Sequence, residues 1–158
     1  MPFSPLTTAF FPARLRGTLG ALVLGLLPLA GWAQTASAPA SELLEQAVLE
    51  AANAYREVHG LAPLQPDDAL HALAVTHSHE MAQRRQLSHD GFDGRFRRSG
   101  RALCVENLAA RHDHSEALLA AWQISAAHQA NLLEPRVRQV GIARVGHFLT
   151  LLACTARR

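Results

Sequence analysis

The sequence predicts an α+β fold. Apolar residues recur at helical steps between positions 44 and 133. They alternate instead in two short segments near the end, and Gly146-His147 supplies a turn between those segments. Helices first and a small antiparallel sheet last is the α+β order.

Leu44, Val48, Ala51, Tyr55 and Val58 step by four and three, so the first helix has one apolar stripe, and Gly60 stops it. Residues 61–66, with Pro63 and Pro66, read as a connection. Asp67 and Asp68 place negative charge at the start of a second helix, whose apolar face is Leu70, Leu73, Ala74, His77 and Met81. Residues 88–101 hold two Asp/Gly pairings and a third Gly, which reads as a turn-rich loop. A short segment, 103–110, follows. Asp113 and Glu116 have capping-box spacing ahead of a third helix that carries Leu118, Leu119 and Trp122. A fourth, short helix covers 126–133 and ends before Pro135. The strand-like segments are 137–145 and 148–153.

Ahead of these elements lies a leader. Arg14 and Arg16 precede the apolar run 18–30, and Gly31-Trp32-Ala33 offers small residues where a signal peptidase reads. The run is shorter than the ~20 residues a spanning helix needs and is broken by Gly25 and Pro28, so residues 1–33 read as a cleaved signal peptide rather than an anchor. Residues 34–43 read as a flexible lead-in and 44–156 as one domain. The expected location is secreted or periplasmic, with no transmembrane span after cleavage.

The chain has fifteen Arg, no Lys and thirteen acids. Without residues 1–33 the thirteen remaining Arg balance the acids, and a neutral domain argues against sequence-independent nucleic-acid binding. The Arg cluster at 95, 97, 98 and 101 reads as a solvated loop face. Two cysteines in an oxidising compartment read as a Cys104–Cys154 disulfide, with two buried free thiols as the alternative. His79-Glu80-Met81-Ala82-Gln83 lacks the second His of a metalloprotease helix, and no G-x-S-x-G occurs. His77, on the apolar face of the second helix, reads as a satisfied core histidine, and Trp122 as a core anchor. His112 and His114 read as solvated, His147 as a turn residue, and His59 and His71 have no partner that the sequence names.

Four segments, in order, carry a resemblance: Asn53-Ala54-Tyr55-Arg56 with His59-Gly60; Ser88-His89-Asp90; Glu106-Asn107-Leu108-Ala109; and Trp122 through Ser125 and His128 to Ala130-Asn131-Leu132-Leu133. Together they resemble the CAP superfamily of cysteine-rich secretory, antigen 5 and pathogenesis-related proteins, in its short bacterial SCP-like form, over residues 44–154. The resemblance implies an α-β-α sandwich with a cleft on one side, into which two His and two Glu project and where several members bind a divalent ion. By motif His89 matches the first His, Glu106 the first Glu and His128 the second His. Ser125 stands where the second Glu would lie. The cleft set is therefore His89, Glu106, Ser125 and His128, with His89 and His128 as metal ligands.

Two neutral imidazoles suit Zn²⁺, and a carboxylate can orient an imidazole or a metal-bound water. Ser125 in place of a carboxylate implies weak zinc binding. A purely structural network, in which the same three side chains hold loop 88–101 to the helices, is the other reading. For the whole protein the first expectation is a secreted binding or interaction module for a small hydrophobic, glycan or protein ligand. The alternative is a metal-assisted hydrolase using the same cleft. A third is a structural envelope protein.

Overall fold

The computed structural model describes residues 39–157. The leader 1–33 and residues 34–38 of the lead-in lie outside that range. The elements are α1 (Ala40–Val58), β1 (Gln65–Pro66), α2 (Asp68–Arg84), α3 (Phe92–Ser99), β2 (Cys104–Ala110), α4 (Ser115–Gln123), α5 (Ala126–Leu132), β3 (Gln139–Val145) and β4 (Phe148–Cys154). None of the described helices is long and apolar enough to cross a membrane.

The strands form one sheet in the order β1-β3-β4-β2. β4 runs antiparallel to both neighbours, and β1 is parallel to β3. Alternation along β4 sorts the layers. Leu149, Leu151 and Ala153 join Leu44, Val48 and Ala52 of α1, Leu118, Leu119 and Trp122 of α4, and Leu132 of α5 in the larger core. Leu152 and Cys154 point the other way, toward Leu70 of α2. Helices thus cover both faces, and the fold is an α-β-α sandwich.

Several expectations are corrected. Helix α1 begins at Ala40, inside the predicted lead-in, and its buried face is Leu44, Val48, Ala52 and Arg56, while Val58 is exposed. Arg56 has a structural reason to be inside. Its guanidinium donates to the carbonyls of Ala62, Leu132, Glu134 and Val137, tying the end of α1 to the end of α5. Asn53 exchanges two hydrogen bonds with the backbone of Leu64, which fixes the 61–66 connection and lets Gln65-Pro66 form β1. Asp67 caps α2 by accepting from the Leu70 N–H at 2.9 Å.

The segment 88–101 is not merely a loop, because it contains α3. Phe92, Arg95, Phe96 and Ser99 lie at helical steps, and they form its inner face although two are polar. Gly91 and Gly100 bracket it with φ of 75° and 65°, values that favour glycine. The expected capping box at Asp113 does not form. His114 occupies the N-cap position, and Asp113 pairs with Arg144 at 2.6 Å. That guanidinium holds the exposed Asp113 carboxyl below the usual carboxylate range.

One close contact fixes how α2 crosses the sheet. A Cβ on Gly141 would lie 2.1 Å from the His71 backbone nitrogen. Only a residue without a side chain lets the first turn of α2 rest on β3. Cys104 and Cys154 sit opposite each other on β2 and β4 and are bonded, with Cα atoms 4.1 Å apart.

Candidate functional site

β2 is the edge of the sheet, and its Glu106-Asn107 pair serves both layers. Alternation sends Glu106 toward α2 and α3, and Asn107 toward α5. Asn107 donates to the His128 carbonyl at 3.0 Å and accepts from Asn131 at 2.9 Å, while Asn131 also donates to the Glu106 carbonyl at 3.0 Å. These bonds hold α5 against the strand edge. Trp122 seals the same side, its indole N–H donating to the Leu108 carbonyl at 3.0 Å. His128 therefore stands beside Glu106 from the α5 layer.

From the other layer comes His89, in the turn before α3. Its Nδ1 lies 2.9 Å from Glu106 Oε1. Arg95 grips the same carboxylate with both branches, Nε to Oε2 at 2.7 Å and a terminal nitrogen to Oε1 at 2.8 Å. Arg95 and Glu106 are each about 2 % exposed at the side chain, so this is a buried, bidentate ion pair. Arg95 also donates to the Asp90 carbonyl at 2.8 Å, which fixes the turn carrying His89. His77 is buried behind them. Its Nε2 donates to the Ser88 carbonyl at 2.9 Å, and its Nδ1, 3.5 Å from Glu80, has no hydrogen-bond partner among the described residues.

The structure brings His89, Glu106 and His128 to one cleft of about 320 Å³, whose walls include Phe92, Ala127 and Asn131. His89 is half-exposed there. Burial and the neighbouring His89 both hold the His128 ring below its ordinary 6.5. Ser125 is not among the residues lining this cleft. It sits at the N-cap of α5, and its side chain makes no cap bond. Sequence reasoning missed Arg95 and assigned its cluster to solvent. In fact Arg95 and Arg101 are both buried, Arg101 against Asp67 at 2.6 Å. The signal was present in the helical spacing of Phe92, Arg95, Phe96 and Ser99, but arginine on an inner face is rare enough to be overlooked.

As a metal site the donor set is thin. Among the described residues no group of three or more His, Cys, Asp or Glu is arranged to hold an ion. Arg95 and His89 occupy the Glu106 carboxylate, which makes it an orienting group and leaves two imidazoles as donors. His89 donates through Nδ1 to a carboxylate, so in the neutral ring Nε2 carries the lone pair.

A three-layer sandwich with two imidazoles beside one sheet edge defines the class. Residues 49–148 match the family described as the cysteine-rich secretory protein family, CAP, and the chain belongs to that family. YkwD of Bacillus subtilis (strain 168) is 30% identical over 124 residues, which cover 70% of this chain and 46% of YkwD. Among solved structures, an extracellular protein containing a SCP domain from Bacillus anthracis str. Ames has a TM-score of 0.69 at 27% identity, covering 73% of this chain and 41% of its own. An outer surface protein of Borrelia burgdorferi shares the fold at 19% identity, with a TM-score of 0.65 and coverage of 71% and 92%. The chain thus spans less than half the length of YkwD and of the Bacillus anthracis protein.

Proposed function

We propose that the chain is an extracytoplasmic binding module whose working surface is the cleft between His89 and His128. One observation carries this: His89 Nδ1 lies 2.9 Å from the Glu106 carboxylate that Arg95 locks, so the lone pair of the neutral ring falls on Nε2, in the cleft that His128 also lines. Weak binding of a divalent ion such as Zn²⁺ belongs to the same reading, with the two imidazoles holding the ion and water completing its shell. When bound, the ion would supply Lewis acidity to a ligand oxygen. The leader read over 1–33, the Cys104–Cys154 pair and the likeness to an extracellular protein of Bacillus anthracis and an outer surface protein of Borrelia burgdorferi support placement outside the cytoplasm.

The hydrolase reading is less well supported. A metal-assisted hydrolase needs a base facing the water it activates. Glu106 is buried, and its charge is already matched by Arg95.

Calorimetric titration of the exported chain with Zn²⁺ tests the proposal. One weak site should be seen, absent in His89→Ala and in His128→Ala, while a chelator leaves the melting temperature unchanged. Tight zinc that survives chelation contradicts it and favours the hydrolase.

A further inference from the structure

The opposite edge of the sheet carries a second feature. β3 is seven residues long, yet β1 pairs with only Gln139 and Val140. Beyond Val140 two of the outward backbone groups of β3 are held by side chains from two different helices. Glu45 on α1 accepts from the Arg144 N–H at 2.7 Å, and His71 on α2 donates through Nδ1 to the Ile142 carbonyl at 2.8 Å. A groove of about 560 Å³ follows this edge, with Glu42, Glu45 and Leu49 on one wall and Asp68, His71 and Val75 on the other.

We propose that this groove is a strand-addition site for an extended, basic peptide segment of a partner protein. The segment would pair with Ile142–Arg144, taking the backbone positions now held by His71 and Glu45. An acceptor on residue 142 and a donor on residue 144 of one edge are the groups that a neighbouring strand uses. Residues 141–145 give it about 16 Å of edge at 3.3 Å per residue. Side chains as edge partners are replaceable in a way that a paired strand is not, since only rotamers must change.

Charge selects the occupant. Asp67 is paired with Arg101 and Arg144 with Asp113, whereas Glu42, Glu45 and Asp68 have no ion pair among the described residues. A second copy of this chain would bring another three carboxylates to the same place, so the groove disfavours its own edge. A segment with Arg or Lys side chains matches it. Burial is the largest influence on Glu45 and raises its pKa, against the Arg144 N–H and His71. An ionised carboxylate in that position gains by swinging out to meet a cation.

The test uses the exported chain, three hexapeptides, and butylamine as a cation with no peptide backbone. One alternates valine and arginine, one is the same peptide fully N-methylated, and one carries glutamate in place of arginine. Fluorescence anisotropy should show binding of the first and none of the third. N-methylation should weaken binding about tenfold, as the loss of one to two net hydrogen bonds implies. Hydrogen exchange should slow at Arg144, and Glu42→Lys, on an exposed helix face, should weaken binding without changing the fold. Equal binding of the N-methylated peptide or of butylamine overturns strand addition. Binding of the glutamate peptide, or self-association of the chain through β3, overturns the choice of occupant.

Discussion

Nδ1 of His89 lies 2.9 Å from Oε1 of Glu106, although His89 lies in the turn before α3 and Glu106 on β2, 17 positions apart. A carboxylate oxygen only accepts, so the imidazole donates. That bond selects the tautomer of His89 and points its basic nitrogen away from the buried ion pair. The cleft owes its chemical character to this contact.

Arg95→Ala should destabilise the protein by about 3–5 kcal/mol, because it leaves the Glu106 carboxylate buried without a counter-charge. Pairing it with Glu106→Gln should recover much of that loss. Urea unfolding at pH 7 measures both. A single variant within 1 kcal/mol of the parent, on the order of an exposed pair, would show that the pair is not desolvated as the structure has it.

The Cys104–Cys154 bond closes a separation of 50 residues. Chain entropy alone predicts about 4 kcal/mol for a loop of that length, and typical values are 2–4 kcal/mol. Reduction should shift the denaturation midpoint accordingly. Peptide mapping without reductant that recovers both thiols free removes the basis for this expectation.

Gly141→Ala should be among the most damaging conservative changes in the chain. The new methyl meets backbone of α2, which cannot rotate away, so the cost should reach or exceed the ~1–3 kcal/mol usual for overpacking. Thermal unfolding reads this directly. An unchanged melting temperature would mean that α2 does not rest on β3 at that point.

The class of the fold was legible because helices α1, α2 and α4 carry apolar stripes, and two strand-like apolar segments, β3 and β4, flank a clear turn. Local rules failed where a polar side chain is buried for a tertiary reason. Arg56 and Arg95 look like surface residues until their partners arrive from distant parts of the chain, the Leu132 and Val137 carbonyls for one and Glu106 for the other. β1 was invisible for a related reason: two residues have no periodicity, and only Asn53 and β3 make them a strand. In the site, the His89, Glu106 and His128 positions came from motif order. Ser125 came from the same order but stands at the N-cap position of α5 without a cap bond, outside the cleft lining. The link between the two layers, through Asn107 and Asn131, had no sequence signal beyond residues already read as motif.

His128 gives a pH signature. Its ring is held below 6.5 in the folded chain, so between 6.5 and that lower value the unfolded state binds more protons. Its contribution to stability is complete above about 6.5 and is lost as pH falls toward the folded value. Zinc binding should weaken over the same acid range, as imidazoles must be neutral to ligate. His128→Gln should flatten the acid slope of the urea midpoint, and an unaltered slope would place His128 in solvent.

The proposed binding surface requires Glu106 to orient His89 so that its Nε2 and the His128 ring face one ligand. Long-range ¹H–¹⁵N correlation spectra of the histidine rings at pH 8 test it most directly. The predicted result is that His89 carries its proton on Nδ1, and that added Zn²⁺ shifts His89 Nε2 and one nitrogen of His128 together. A His89 ring protonated on Nε2, or zinc shifts confined to one of the two rings, would contradict the account.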